Sequence, residues 1–449
     1  PNSVLETGHD IIFFWVARMI LMSTYALGKS PFKTVYMHGM VCDEKGKKMS
    51  KSKGNGVDPL DMTAKYGADA LRFSLVTGTT PGNQINVGES KIEGYRNFIT
   101  KLWNIYRYGT HNLFQDFDLA SDDLSGIDPI KRGYILEDLR DYQLDVAEPA
   151  NAWIILKTDQ LIEKVTGGIE NYRFGEVGEI LYDFAWNELA DWYLEASKKS
   201  NTQETKATLL YVLETLLKLL HPYIPFVTEM LYKELGGQSE FLMVAPWPQS
   251  VFTSQPENIR VERNGQEFEL PVEAPSEGVS GSGNQLADQF ETMQNIVTKI
   301  RSARADAKVN PVKKIDAMIV CKGETLHATS LQNQTDVIKM MANLNTFTVE
   351  NTDIDAKTKQ TSVLVAVSEQ ITVYLPLAGM VEKEEELARL SKEQANLEKQ
   401  KASIAGKLGN QGFVANAPEA VITQQQEKLA EIEGLLVSIT QQKIQIEQL

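Results

Sequence analysis

Along this chain of 449 residues, apolar positions first run together, then alternate, then fall into a helical rhythm. From Asp10 to about Leu27 nearly every residue is apolar, which predicts a helix; a turn at Gly28 to Pro31 and a strand over Val35 to Val41 follow. A Gly- and Lys-rich loop leads to a helix near Pro59 to Tyr66. Between Gly94 and Leu235 the apolar residues recur at helical spacing with few strand signals, so a helix bundle is expected. From about Pro246 to Gln285 the sequence turns polar, with Pro248, Pro256, Pro271 and Pro275 and the run Gly278 to Gly283, as in a linker or inserted loop. A small α/β unit is then expected, with a helix at Leu286 to Ala305, a strand at Ile315 to Cys321, a helix at Val337 to Leu344, and strands at Val363 to Val367 and Ile371 to Leu375. In the tail, Leu390, Leu397 and Ile404 repeat every seven residues, as do Ile422, Leu429 and Leu436 beside Ile432, Ile439 and Ile446. Gly406 to Gly412 and Pro418 separate the two repeats, which predicts an antiparallel helical hairpin; a dimerisation coiled coil fits the same pattern.

Composition narrows the setting. An apolar content of 42% and a charged content of 23% describe an ordinary globular chain, long enough for about three domains. A net charge of −15 removes any whole-surface attraction to nucleic acid, so a polyanion site has to be local. Cys42 and Cys321 make neither a disulfide ladder nor a CxxC metal pair, which fits a reducing, cytoplasmic compartment. The apolar run Ile11 to Gly28 raises the question of a membrane span. It falls short of the ~20 residues a bilayer needs, and Arg18 at its centre costs on the order of 2.5–3.5 kcal/mol, so a buried helix of an α/β domain is expected instead. The chain opens on Pro1 with what looks like the middle of a domain, and an upstream part is expected.

The strongest local chemistry is Lys45-Gly-Lys-Lys-Met-Ser-Lys-Ser-Lys-Gly-Asn55, five lysines in nine residues of an acidic protein. Gly46 and Gly54 let the backbone approach a ligand, Ser50 and Ser52 offer hydroxyls, and Lys48 and Lys51 offer compact charges for a polyphosphate. A solvated basic loop or a localisation signal would have the same composition.

Within this segment, Lys48-Met-Ser-Lys-Ser52 resembles the KMSKS loop of class I aminoacyl-tRNA synthetases, following a strand that carries His38-Gly39. Glu6-Thr-Gly-His-Asp-Ile-Ile-Phe-Phe-Trp-Val-Ala-Arg-Met19 is similar to the segment that valyl enzymes of this class place at the end of a Rossmann strand. The resemblance implies that Lys48 and Lys51 are catalytic, stabilising charge on the α- and β-phosphates of ATP as the valine carboxylate displaces pyrophosphate. It implies ATP contacts from Thr7, Gly8, Asp10, His38, Gly39, Met49, Ser50, Lys51 and Ser52, with Mg²⁺ accompanying the nucleotide and no protein-bound metal. Ile11 and Trp15, four residues apart on one helical face, would line the amino-acid pocket; read without the family, they would be core. A pocket sized for valine rejects threonine by only ~10²-fold, a limit for which valyl enzymes are themselves the standard case, so an editing site is expected upstream of Thr7. The class's HIGH motif is absent: His9, His38, His111, His221 and His327 lie in no HxGH pattern, so this chain is not expected to activate valine alone.

The likeness continues through Asn171 to Phe174, Leu181 to Trp186, Asp191 to Glu195 and His221 to Phe226, which resemble the helical anticodon-binding domain of valyl, isoleucyl and leucyl enzymes. Aromatics at such spacing are assigned to packing, no anticodon reader is named, and Arg173 and Lys198 are candidate phosphate contacts. The hairpin matches the tRNA-binding arm of bacterial-type valyl enzymes, although residues 382–407 carry six acidic and six basic side chains and make no basic stripe. An isoleucyl enzyme would end in a cysteine-rich zinc module, which two cysteines cannot build. The expected fold is multi-domain, α/β plus all-α. A partial Rossmann-type catalytic domain spans 1–92, a helical-bundle anticodon-binding domain 93–249, a linker 250–285, a small α/β unit 286–378 and a coiled-coil hairpin 379–449. The expected function is valine-tRNA ligase, acting on valine, ATP and valine tRNA as a monomer without a membrane. The alternative is a non-catalytic tRNA-binding protein or one half of a split synthetase.

Overall fold

The computed structural model describes residues 2–50, 54–113, 136–140, 146–250, 259–263, 266–270, 281–321, 326–350, 362–368, 370–376 and 383–409, together with residues 428, 429, 432, 434, 436, 439, 440 and 443. They group into two compact units, Pro1–Glu291 and Thr292–Leu449.

In the first unit, strand β1 (Asn2–Gly8) lies parallel to β2 (Phe32–His38), in register from Asn2 opposite Phe32 to Gly8 opposite His38. Parallel neighbours require a crossover, and the apolar run supplies it. The run is not one helix: His9–Ile11 is a 3₁₀ turn, Ile12–Val16 a π-helical segment, and α1 (Ala17–Leu27) ends on Gly28, whose φ of 67° provides the left-handed cap. The expectation of a buried helix is overturned. Val16 is buried, but Phe13, Leu21 and Tyr25 are 76, 68 and 90% exposed. Two strands about 4.8 Å apart present a face narrower than a helix of about 10 Å diameter, so they cover only a thin stripe of it. His9–Leu27 is long and apolar enough to cross a membrane by length and composition; in this fold it links two adjacent parallel strands. The predicted strand over Val35 to Val41 also divides, since β2 stops at His38 and β3 (Val41–Cys42) pairs in parallel with β4 (Ile85–Asn86).

Helix α2 (Pro59–Tyr66) begins where the sequence places it, because Asp58 accepts a hydrogen bond from Leu60 N at 2.8 Å and Pro59 occupies the first turn. It leads through α3 (Ala68–Val76) to the bundle: α4 (Glu89–Leu113), α5 (Pro149–Glu170), α6 (Phe174–Asp183), α7 (Gln203–Leu220) and α8 (Pro225–Glu234). Between α6 and α7, residues Phe184–Tyr193 are π-helical. Helix α7 is buried on almost every side and packs on α4, α5, α6 and α8, which explains its run of leucines.

Helix α8 opens on Pro225, preceded by Ile224, whose side chain can cap nothing. Its first turn is capped from α3 instead. Asp69 accepts hydrogen bonds from Val227 N at 2.7 Å and Phe226 N at 3.3 Å, while Arg72 donates to the carbonyls of Pro222 and Tyr223, both at 3.2 Å. The segment His221 to Phe226 is therefore a joint between α3 and the bundle. The polar stretch expected as a linker contains an antiparallel pair, β5 (Ile259–Arg263) and β6 (Gln266–Leu270), and helix α9 (Gly281–Asp306) starts inside it.

The second unit carries a four-stranded sheet in the order β8-β7-β10-β9, from β7 (Ile315–Cys321), β8 (Leu344–Glu350), β9 (Ser362–Ala366) and β10 (Ile371–Pro376). Strands β7 and β8 are parallel, and β10 runs antiparallel to β7 and β9. Helices α10 (Leu326–Asn333) and α11 (Thr335–Ala342) make the crossover. Helix α10 and strand β8 were not expected, and the helix predicted to reach Leu344 stops at Ala342. Asn343, at φ 54°, turns the chain, and the buried Arg304 donates to the carbonyls of Ala342, Asn343, Pro311 and Lys313. In the tail, α12 (Lys383–Gly409) buries Ile404; Ile432 and Ile439 are also buried, and Lys443 Nζ donates to Gln394 Oε1 at 2.8 Å. Ile422 and Ile446 lie outside the described residues.

Candidate active site

The C-terminal ends of β1 and β2 come together at the pair Gly8–His38, and such strand ends are where open α/β sheets place ligands. Thr7 is 5% exposed and buried beneath this edge. A Cβ on Gly8 would sit 2.7 Å from Asp10 Oδ1, so a side chain there would push the Asp10 carboxylate away from this edge. His38 Nδ1 lies 2.9 Å from the Gly39 carbonyl oxygen and its Nε2 3.6 Å from Glu6 Oε1. At Gly39 a Cβ would fall 1.4 Å from the Asn83 carbonyl oxygen, so the 79–83 loop presses directly on the strand end.

The lysine-rich segment leaves β3 as a tight arch. Cys42 bridges Lys48 in antiparallel fashion, Asp43 N donates to the Lys47 carbonyl at 2.9 Å, and Gly46 turns the chain at φ 73°. Asp43 Oδ1 accepts from Lys45 N at 3.0 Å and Lys47 N at 2.9 Å. Asn55 closes the far side: its Nδ2 donates to Asp43 Oδ2 at 2.9 Å and to the Lys48 carbonyl at 3.3 Å, and its Oδ1 accepts from Ser50 N at 3.0 Å. The Asn55 amide, followed by the backbone N–H groups of Lys47 and Lys45, holds the Asp43 carboxyl below its ordinary value. From this arch Lys48 Nζ reaches to 3.8 Å from Asp10 Oδ2. Both side chains are well exposed, so the contact is worth at most about 1 kcal/mol and exchanges readily for an anionic ligand.

The structure thus brings Gly8, Asp10, His38, Gly39 and Lys48 to one edge, with Thr7 beneath. The Met49 side chain turns inward against the core around Ala70, Val87 and Ile92, leaving only its backbone to the arch. Ser50 is held through its N–H; Lys51 and Ser52 lie outside the described residues. Ile11 and Trp15 are 43 and 56% exposed, so neither is core in this chain. The irregular 3₁₀ and π geometry means that the α-helical spacing does not set their relation. Sequence reasoning missed Asp43 and Asn55, whose only signals were an Asp three residues before Gly46 and an Asn directly after Gly54.

A cavity of about 500 Å³ adjoins this edge, lined among others by Glu6, Tyr36, His38, Thr79, Tyr172 and Phe174. Tyr172 has a φ of 56° and closes one side of an aromatic cluster with Tyr36 and Phe174. In the bundle, Phe184, Tyr193 and Tyr223 are buried as packing residues, whereas Phe226 is 65% exposed. Arg173 and Lys198 form ion pairs with Glu176 and Glu195, and Lys198 lies over the Tyr108 ring. Among the described residues, no group of three or more His, Cys, Asp and Glu side chains could hold a metal ion.

Three family descriptions match in chain order: "tRNA synthetases class I (I, L, M and V)" over residues 1–88, "Anticodon-binding domain of tRNA ligase" over 151–319, and "Valyl tRNA synthetase tRNA binding arm" over 382–446. A Valine–tRNA ligase from Staphylococcus saprophyticus is 36% identical over 95% of this chain and 44% of its own length. The chain corresponds to the C-terminal region of the valyl-tRNA synthetase family. A "Valine–tRNA ligase, chloroplastic/mitochondrial 2" of Arabidopsis thaliana is 35% identical over 96% of this chain and 41% of its own. The chain therefore spans less than half the length of these valyl-tRNA synthetase relatives. A crystal structure of the LeuRS–tRNA–LeuAMS ternary complex from Agrobacterium radiobacter K84 is similar with a TM-score of 0.44, at 20% identity, over 70% of this chain and 36% of that one. The fold is class I synthetase-like, with an anticodon-binding domain.

Proposed function

We propose that this chain serves a valine-tRNA ligase, which forms valyl-adenylate from valine and ATP and transfers the valyl group to valine tRNA. The observation that carries the proposal is the approach of Lys48 Nζ to within 3.8 Å of Asp10, which joins the lysine arch to the edge bearing Gly8 and His38. At that edge Lys48, and Lys51 beside it in sequence, stabilise the charge that develops as the valine carboxylate oxygen attacks the α-phosphate and pyrophosphate leaves. Thr7, Gly8 and Asp10 take the ribose side of the nucleotide. His38, Gly39 and the backbone at Met49 take its adenine and ribose side, and the Ser50 and Ser52 hydroxyls assist at the phosphates. Mg²⁺ enters with ATP as part of the substrate. Ile11 and Trp15, exposed in this chain, face the amino acid.

On the same reading residues 1–92 are the C-terminal part of a Rossmann catalytic domain, 93–249 an anticodon-binding bundle, and 250–285 an inserted connection. Residues 286–378 form a small α/β domain and 379–449 an antiparallel coiled-coil arm for tRNA. The contact between Lys443 and Gln394 supports the hairpin. The enzyme works as a cytoplasmic monomer. Valine-dependent ATP–pyrophosphate exchange and charging of tRNA by the natural full-length protein test the proposal. Exchange and charging with isoleucine or leucine in place of valine would overturn the substrate.

A further inference from the structure

On the ligase reading, we propose that Asp43 and Asn55 are positioning residues for amino-acid activation, a strut that fixes the Lys45–Ser50 arch and so directs the Lys48 ammonium at the nucleotide phosphates. A lysine is a point charge on a flexible four-carbon stem, so its direction depends on the backbone beneath it. That backbone is fixed from both sides. On one side Lys48 bridges Cys42, and on the other its carbonyl accepts from Asn55 Nδ2. Asn55 uses its donor and acceptor faces together, on Asp43, Lys48 and Ser50. Asp43 uses both oxygens, one on the N–H groups of Lys45 and Lys47 and the other on Asn55. The strut thus ties two points 12 residues apart across the foot of the lysine run. Both residues stand outside the hydrophobic core around Ala70, Val87 and Ile92, so their loss releases the arch without opening that core. A displacement of about 1 Å in such a charge costs on the order of 10²-fold in rate.

Valine-dependent ATP–pyrophosphate exchange in the full-length enzyme tests the strut. Asn55→Ala and Asp43→Asn are expected to lower kcat by about 10- to 100-fold, with KM for valine within about twofold and an unchanged thermal midpoint. In the double variant Asp43→Asn with Asn55→Ala the second change removes a partner already lost, so its kcat is expected to stay within about threefold of the slower single variant. Singles within twofold of wild-type kcat, a loss that follows a fall in thermal midpoint, or a double variant as slow as the two losses multiplied would each overturn the proposal. A wild-type enzyme without valine-dependent exchange would overturn the ligase reading itself, which separates the two failures.

Discussion

If the proposed ligase reading holds, replacing Lys48 by alanine removes one charge from the edge assigned to the phosphates, and kcat for valine activation in the full-length enzyme should fall by about 10²–10³-fold, with circular dichroism unchanged. Asp69 is a contrasting case, because its carboxylate serves the fold. Asp69→Ala leaves the Val227 and Phe226 N–H groups without their acceptor, so urea unfolding should report a loss of about 1–3 kcal/mol. Burial raises the pKa of Asp69, outweighing the hydrogen bonds and charges that lower it. The folded protein then holds this proton to higher pH than the unfolded chain does. The contribution of Asp69 to stability is full below the usual carboxylate range and declines as pH rises through the raised value. The stability of Asp69→Asn relative to wild type should therefore improve with rising pH across that window, measured by urea unfolding at successive pH values. Of these residues, only Lys48 was singled out in the sequence, where it is one of five clustered lysines that suit an anion. Asp69, Asp43 and Asn55 were not, since each acts on a group that only the closed chain brings near.

At the scale of elements, the sequence located α2 and β7 to the residue, α2 because Asp58, Pro59 and Gly67 mark its ends and β7 because it is a short run of β-branched and apolar residues. Periodicity failed where geometry departs from the regular 3.6 or 2 spacing. The π-helical stretches at Ile12–Val16 and Phe184–Tyr193 read as ordinary helix, and β8 was hidden behind α11 because only Asn343 separates them. It also assumed that an apolar helix finds cover, whereas α1 and the segment before it present Phe13, Leu21 and Tyr25 to solvent. This chain expressed alone should bind a hydrophobic dye, and Leu21→Glu with Tyr25→Lys should reduce that fluorescence with little change in thermal midpoint. The 79–83 connection is gripped between two glycines: besides Gly39, a Cβ on Gly175 would lie 2.0 Å from the Thr79 carbonyl oxygen. Gly39→Ala should lower the thermal midpoint, whereas Gly94→Ala, with nothing within 4 Å of its new methyl group, should raise helix stability by about 0.5–1 kcal/mol.

Over the whole molecule, a net charge of −15 makes any tRNA contact depend on placement instead of bulk attraction. Deleting residues 379–449 from the full-length enzyme should raise KM for tRNA several-fold while leaving valine-dependent pyrophosphate exchange intact. An equal loss in both assays would show that the tail supports folding instead. At this scale the run of helices after Gly94 was legible because its apolar residues keep a helical spacing, and α4 to α8 follow it.

The cap that α3 lends to α8 also sets a clock for synthesis. Asp69 leaves the ribosome 158 residues ahead of the N–H it accepts from, an interval of about 8–30 s at the usual 5–20 residues per second. Until then its carboxylate stays hydrated and ionised, and α3 waits with one side open. A ribosome that pauses in this interval lengthens the exposure of an incomplete seam, which closes only when the eighth helix arrives to meet the third.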